Sequence, residues 1–303
     1  MWESGLRASD IVASGNFLRL VELFPPGLPA PRLMDKSQTF DLSIRFERLV
    51  DNISSLEAIA DGFSLPELKN SDRIHLNSVA VAAELSRQTG SDVIPTLTLR
   101  DMNRQVLMGS VAYAIFAGLE NLQIVRGDPY DEKDKESPKN VYDIKKISTL
   151  VKAIRNLESH LSSRKRLCLI APINLLRLED PGYVTTIKER ESAGIDMFVA
   201  ESLFEEVEIH LKRVLNARRR GIQAPIIHNV FPLRGHEDAL ACRRKFGWVI
   251  SDEELRKLKI GGIDFGVEQA RNRYLSLMEN KETAQGACIS TRGNVEIVRQ
   301  ITS

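Results

Sequence analysis

The sequence predicts an α/β protein folded as a single (β/α)8 TIM barrel. Short apolar runs alternate with amphipathic stretches along all 303 residues, and eight such runs can be read as strands. The length also suits this fold, which typically needs roughly 250 residues plus insertions. A doubly wound open sheet is the alternative, because a list of strands does not reveal whether the sheet closes.

The eight strands are predicted, in chain order, at 18–23, 56–60, 92–97, 121–125, 167–171, 196–200, 225–229 and 286–290. Amphipathic helices fill the intervals, and the one after the third strand is expected to end at Gly118. Ser251 followed by three acidic residues is a helix N-cap pattern, which predicts a short extra helix before the last strand. Residues 1–303 are therefore expected to form one catalytic barrel domain, in which 1–15 are an N-terminal extension.

The composition excludes several classes of protein. With 42 basic and 41 acidic residues the net charge is +1, whereas dedicated nucleic-acid binders usually carry a basic excess. The three cysteines show no CxxC spacing, so neither a metal site nor a disulfide framework is expected. There is no signal-peptide pattern and no apolar run of about 20 residues. We therefore expect a cytoplasmic protein that binds neither nucleic acid nor membrane.

Two carboxylates fall at predicted strand ends. Glu22 lies in an otherwise apolar strand just before Pro25-Pro26, and Asp128 follows the strand at 121–125. In parallel barrels the carboxyl ends of the strands form the active face. Burial of an unpaired carboxylate is costly and raises its pKa, which suits a general acid. If the two strands are close, acid–base or charge-stabilising chemistry follows.

Other polar residues are expected near the same face. Thr98 ends the third strand, and Asp101 or Asn103 is expected to cap the next helix. The polar stretch 129–140 predicts a long loop, either a lid over a cofactor or a solvated excursion. Tyr142, just after it, is expected either to pack in the core or to contact a ligand.

Common cofactor signatures are absent, including GxGxxG and the P-loop. His228 closes the seventh strand, and we interpret it as a hydrogen-bonded strand cap in preference to a functional group.

Several segments, in this order, resemble the methylenetetrahydrofolate reductase family, and the resemblance extends from about Gly15 to Ile301. The matching segments are Glu22-Leu23-Phe24-Pro25-Pro26, Leu97 to Arg104, Gly118 to Asn121, Arg126-Gly127-Asp128, Val141-Tyr142-Asp143, Ala193 to Asp196 and Phe231-Pro232-Leu233.

The resemblance implies a (β/α)8 barrel that holds FAD on its C-terminal face, with FMN or no flavin as alternatives. It implies hydride transfer from reduced flavin to 5,10-methylenetetrahydrofolate or a related methylene-pterin, which gives the 5-methyl form. Glu22 would be the general acid, and Asp128 would lie beside flavin and pterin. The residues that match flavin contacts are Asp61, Thr98, Arg126, Gly127, Asp128, Tyr142 and Asn174; those that match substrate contacts are Glu201 and Phe231.

The sequence departs from the family pattern in three places. After the fifth predicted strand the family often carries a longer polar signature, of which only Asn174 is matched here. Ala200-Glu201 replaces a Thr-Gln pair, and Ile289-Ser290-Thr291 lacks an arginine that some members carry. An ionised Glu201 cannot donate a hydrogen bond, so the electron donor is either NAD(P)H or a partner protein. A non-catalytic or flavin-free folate-binding subunit and a pterin-dependent methyl-transfer barrel are the alternative functions. A homo-oligomer or a larger complex is the expected assembly.

Overall fold

The computed structural model describes residues 7–29, 41–69, 73–128, 141–161, 166–202 and 204–303. The strands are β1 (Leu18–Glu22), β2 (Gly27–Pro29), β3 (Gly62–Leu65), β4 (Arg73–His75), β5 (Val93–Thr98), β6 (Asn121–Val125), β7 (Cys168–Ile173), β8 (Met197–Ala200), β9 (Ile226–Val230) and β10 (Gly286–Ser290). The helices are α1 (Ala8–Ala13), α2 (Leu42–Leu56), α3 (Ser78–Thr89), α4 (Arg104–Phe116), α5 (Ile147–Ser159), α6 (Pro181–Ala193), α7 (Val207–Arg219), α8 (His236–Phe246), α9 (Asp252–Glu279) and α10 (Glu296–Thr302). The predicted 129–140 loop and residues 1–6 of the expected extension lie outside the described residues.

Eight parallel strands close into a barrel in the order β1-β10-β9-β8-β7-β6-β5-β3. The first and last barrel strands pair with Glu22 opposite Ser290, which seals the sheet. Helices follow the strands around the outside. The (β/α)8 prediction is therefore confirmed, and the open-sheet alternative is wrong.

The second predicted strand is wrong, whereas the other seven overlap observed strands. Residues 56–60 include the end of α2 and the turn after it, and the strand itself is β3, a few residues later. Buried Leu49, Ile53 and Leu56 recur at helical spacing along α2. The apolar run at 56–60 is thus the last turn of an amphipathic helix and its exit.

The predicted extra helix begins where expected, since Ser251 Oγ accepts a hydrogen bond from the Glu254 N–H over 3.1 Å. It is longer than expected and runs to Glu279 as α9, with a break at Gly262, whose φ is 56°. A further helix, α8, precedes it, so the connection between β9 and β10 carries two helices.

The barrel interior is apolar at its N-terminal end and its centre. Alternate strand residues fill it: Leu18, Leu20, Ile94, Cys168, Ile170, Met197, Val199, Ile227 and Cys288. Helix α1 covers the N-terminal opening, because Ala8 packs into the same cluster and its N–H donates to Asn121 Oδ1 over 3.0 Å. The C-terminal opening is consequently the one available to a ligand.

The loops after β1 and β3 add a small antiparallel sheet, β2–β4, beyond the carboxyl ends of their strands. A Cβ on Gly27 would lie 2.6 Å from His75 Nδ1, so glycine is required for this close approach. Among the described residues, no helix combines the length and apolar character needed to cross a bilayer.

Candidate active site at the C-terminal end of the barrel

Polar side chains replace apolar ones at the C-terminal end of the barrel interior. Glu22 pairs in register with Ser64 on one side and Ser290 on the other. Asn229 follows the inward-facing Ile227 by two residues, so strand alternation also turns it inward. Its side chain is nevertheless exposed, which means that the barrel is open to solvent at this end.

The Glu22 carboxyl combines burial with only partial compensation. Burial raises its pKa, while a hydrogen bond from Ser290 and the charge of Arg292 act in the opposite direction. Ser290 Oγ donates to Glu22 Oε1 over 2.8 Å. No cation forms an ion pair with Glu22 among the described residues. This carboxyl can therefore hold a proton at the mouth of the barrel and release it.

Arg292 was missed by the sequence analysis, which found no arginine on the last strand. It lies just beyond Thr291, in a left-handed backbone conformation (φ 52°). Its guanidinium is 2.6 Å from Asp238 and stacks 4.2 Å from the centre of the Phe231 ring. The turn brings the cation back towards Glu22. The Arg292-Gly293 pair after the strand was the available signal, since such pairs mark turns.

Phe231, predicted to contact substrate, follows β9 and is partly exposed beside Arg292. Its ring packs edge-on against Trp248 with ring centres 4.8 Å apart. Phe204 and Phe246 also contact Trp248. An aromatic surface therefore borders the β9–β10 side of the mouth.

Asn174 and Glu201 are in direct contact at the ends of the neighbouring strands β7 and β8. Asn174 Nδ2 donates to Glu201 Oε2 over 2.9 Å, and the Asn174 N–H donates to the Tyr183 hydroxyl over 2.6 Å. Burial raises the pKa of Glu201, and the negative charge of Asp128 raises it further. The predicted residues Asp128, Asn174 and Glu201 are thus neighbours in the fold, and Glu201 takes up a proton more readily than an ordinary glutamate.

The exposed Arg126 and the partly exposed Tyr142, which also packs against the core, form a pair near the end of β6. The Arg126 guanidinium carbon lies 5.0 Å from the centre of the Tyr142 ring. Between Arg126 and the exposed Asp128, Gly127 adopts a left-handed conformation (φ 90°). A Cβ on Gly127 would lie 2.4 Å from Thr98 Cγ2. Only glycine fits here.

Thr98 lies at the carboxyl end of β5, directly beneath the Gly127 turn. Its side chain is only 2% exposed, beneath Gly127, and its N–H donates to the Glu67 carboxylate over 2.7 Å. The Thr98 methyl group consequently supports the turn at Gly127, and its contact with flavin stays a prediction. The sequence placed it at the correct strand end but did not reveal that residues 66–69 cross over it.

Asp61 does not join this site. It precedes β3 at the N-terminal end of the barrel, where its carboxylate lies 2.6 Å from the Arg19 guanidinium. Its N–H also donates to the Arg19 carbonyl over 2.8 Å. The resemblance grouped Asp61 with Arg126 and Tyr142, whereas the structure places it at the end of the barrel that α1 covers.

His228 also lies outside the mouth. It is buried and contacts His210 on α7, and burial lowers the pKa of both rings. Within the described ranges, no three His, Cys, Asp or Glu side chains are grouped in a way that could hold a metal ion.

The family profile described as methylenetetrahydrofolate reductase matches residues 10–259 of this chain. The chain belongs to the methylenetetrahydrofolate reductase family. This agrees with the resemblance found in the separate segments around Glu22, Asp128 and Phe231.

Solved structures show the same fold at low sequence identity. An "uncharacterized protein from Clostridium thermocellum" that "binds two copies of 5-methyl-5,6,7,8-tetrahydrofolic acid" is 12% identical, with a TM-score of 0.69, and the match covers 97% of this chain and 99% of that one. Phosphoenolpyruvate phosphomutase from Streptomyces platensis subsp. rosaceus is 13% identical, with a TM-score of 0.50, and covers 98% and 85%. Both likenesses concern the barrel fold.

The residues at the end of β6 fit the flavin that the methylenetetrahydrofolate reductase family implies. Arg126 offers an exposed cation suited to phosphate groups, and Tyr142 offers a partly exposed ring beside it. Asp128 is exposed on the other side of the Gly127 turn. A cation, a ring and a carboxylate thus form one continuous surface at the barrel end that is open to solvent.

Proposed function

We propose that the chain catalyses flavin-dependent reduction of 5,10-methylenetetrahydrofolate, or a related methylene-pterin, to the 5-methyl form. One observation carries the proposal: the Glu22 carboxyl is buried, lacks an ion-pair partner among the described residues, and lies at the open end of the barrel. Such a carboxyl has no evident structural use, because a paired or apolar residue would be less costly there.

Glu22 acts as the general acid. Its proton passes to the nitrogen of the substrate's five-membered ring, and the ring opens as the carbon–nitrogen bond breaks. The Ser290 hydroxyl fixes the orientation of the carboxyl and stabilises the anion that remains. Arg292 adds a positive charge on the same side. These effects oppose that of burial on the pKa of Glu22, so that the carboxyl can both hold and release its proton.

Arg126, Gly127, Asp128 and Tyr142 would hold the flavin, with Asn174 at the border of the same region. When bound in its reduced form, the flavin supplies the hydride that completes the methyl group. Asp128 contributes a negative charge that orients the pterin. Arg126 supplies the positive charge that phosphate groups require.

Glu201 and Phe231 contact the substrate from the ends of two adjacent strands, β8 and β9. In its protonated form Glu201 can donate a hydrogen bond, as the amide usual at this position would do. The raised pKa of Glu201 makes that form more accessible. Phe231 offers an aromatic surface to the flat rings of the substrate.

The test begins with the visible absorption spectrum of the protein after incubation with FAD and removal of free cofactor. About one flavin per chain, bleached on anaerobic addition of 5-methyltetrahydrofolate, supports the proposal. Glu22→Gln is the matched variant, and we expect it to retain flavin but bleach far more slowly. Bound flavin that 5-methyltetrahydrofolate never reduces would contradict the proposed reaction.

A folate-binding protein without redox chemistry is the second candidate. It is favoured by Glu201 in place of an amide, and by the Clostridium thermocellum protein being described only as binding 5-methyltetrahydrofolate. In that case 5-methyltetrahydrofolate binds the chain without flavin, as calorimetry would show. Equal affinity in the presence and absence of FAD would favour this candidate.

A further inference from the structure

Two consecutive residues hold both members of the Arg126–Tyr142 pair. The Arg100 N–H donates to the Arg126 carbonyl over 3.2 Å, and the Asp101 N–H donates to the Val141 carbonyl over 2.7 Å. The Val141 N–H in turn donates to Asp101 Oδ1 over 3.0 Å. Val141 immediately precedes Tyr142. The turn after β5 therefore fixes where the guanidinium and the ring meet.

Asp101 adopts a left-handed conformation (φ 59°), which is uncommon for a residue other than glycine. Helix capping does not require it, because Asn103 Oδ1 accepts from the Val106 N–H over 2.9 Å and is the N-cap of α4. The alternative role predicted for Asp101 is thus filled by its neighbour. Because α4 does not need Asp101 as its cap, the strained backbone at Asp101 indicates that this residue has another role.

Arg100 holds the turn after β5 in place through its buried side chain. Its side chain is 3% exposed, and Nε lies 3.0 Å from Asp101 Oδ2. The guanidinium donates to the Lys69 carbonyl, and Lys69 Nζ donates to the Arg100 carbonyl over 2.6 Å. The turn is consequently tied to the loop after β3 as well as to the segments at Arg126 and Val141.

We propose that Arg100 and Asp101 are positioning residues, which preassemble the Arg126–Tyr142 surface so that it can bind flavin. This inference rests on the proposed function, since flavin is the ligand of that surface. Neither residue needs to touch the cofactor. They fix the guanidinium and the ring before flavin binds, so that less conformational entropy is lost on binding.

The experiment compares three variants of the full-length protein. Asp101→Gly keeps the left-handed backbone accessible but removes the side-chain bond to Val141 and the ion pair with Arg100. Asp101→Asn tolerates the same conformation and retains an acceptor oxygen. Asn103→Ala is the matched control, because it removes a polar side chain from the same turn without affecting residues 126 or 141.

Flavin affinity is measured by quenching of FAD fluorescence, and amide hydrogen exchange is followed at 126–128 and 141–143. For Asp101→Gly we expect about tenfold weaker FAD binding, or about 1.4 kcal/mol, and faster exchange at both segments. Asp101→Asn and Asn103→Ala should bind FAD within about twofold of the wild-type protein.

Three outcomes are distinguishable. Weaker binding confined to Asp101→Gly supports the inference. Equal FAD affinity in Asp101→Gly and wild type overturns the positioning role but leaves the proposed function intact. No FAD binding by the wild-type protein overturns both the proposed cofactor and this inference.

Discussion

The partly buried carboxylates at the two ends of the barrel have different partners. At the N-terminal end, Asp61 lies 2.6 Å from Arg19, and Asp196 lies 2.5 Å from Arg155. At the C-terminal end, Glu22 is bonded to a serine hydroxyl and Glu201 to an asparagine amide. These two carboxylates at the N-terminal end are paired with cations, whereas burial raises the pKa of Glu22 and Glu201, which suits the proposed acid–base role.

Asp92 is the informative exception at the N-terminal end. Its partner is the Asn121 amide, which donates over 2.6 Å, and burial raises its pKa to about 7. It therefore resembles the carboxyls of the C-terminal end in its electrostatics. Helix α1 nevertheless covers that end of the barrel. A raised pKa becomes useful for catalysis only where the group can also be reached.

Glu22→Gln should give the largest effect, because it removes the general acid but preserves the shape of the side chain. We expect turnover of the methylene-pterin to fall about a thousandfold. Steady-state kinetics with bound FAD measure it. Flavin affinity and unfolding free energy should stay close to wild type, and a loss of turnover below about tenfold would show that Glu22 is not the acid.

Arg155→Ala should damage the opposite end of the barrel. Among the described residues it leaves Asp196 with the more exposed Arg166 as its cation, 3.1 Å away, and it also removes bonds to the Gly194 and Leu167 carbonyls. We expect the free energy of unfolding to fall by about 2 to 3 kcal/mol, measured by urea denaturation. FAD affinity should change less than about twofold. A large loss of FAD affinity without a matching loss of stability would contradict a purely structural role for the N-terminal end.

Asp92→Asn should change how stability depends on pH. The folded carboxyl keeps its proton to about pH 7, whereas an ordinary aspartate releases it near 3.8. The free energy of unfolding therefore falls as pH rises between these values, and the loss persists above pH 7. The asparagine avoids that loss, so above pH 7 the variant should be more stable by about 4 kcal/mol. Parallel urea titrations at pH 4 and pH 8 test this, and an equal difference at both would contradict it.

Ser290→Ala should give the smallest effect. The Ser290 hydroxyl lowers the pKa of Glu22, in opposition to burial. Without it the acid keeps its proton to higher pH, so the alkaline limb of the kcat profile should move upward. The shift is read from kcat between pH 6 and pH 10. If the alkaline pKa of the kcat profile is unchanged, the titration of Glu22 does not determine that limb.

Most of the fold could be predicted from the sequence, because parallel strands buried on both sides are continuous apolar runs. The second strand could not, since β3 has only four residues and the amphipathic end of α2 resembles a strand more closely. The β2–β4 sheet was also missed. Its two three-residue strands, Gly27–Pro29 and Arg73–His75, can pair only when the barrel brings their loops together.

The site could be predicted only in part, for a related reason. Glu22 and Asp128 follow from the rule that carboxyl ends of strands meet at one face. The contacts between Asp101 and Val141, and between Asn174 and Glu201, join residues that are distant in sequence. No local pattern encodes such contacts. The burial of Thr98 beneath Gly127 depends on the same long-range packing.

The hydrogen bond between Ser290 and Glu22 joins residues 268 positions apart. It is made by the strand that seals the barrel, so it is among the last contacts available to a chain growing from its N-terminus. Until β10 docks beside β1, the Glu22 carboxyl lacks its oriented partner, and contacts of such long range form slowly. The proposed acid–base centre would therefore be completed at the end of folding, and a chain truncated before β10 could not assemble it.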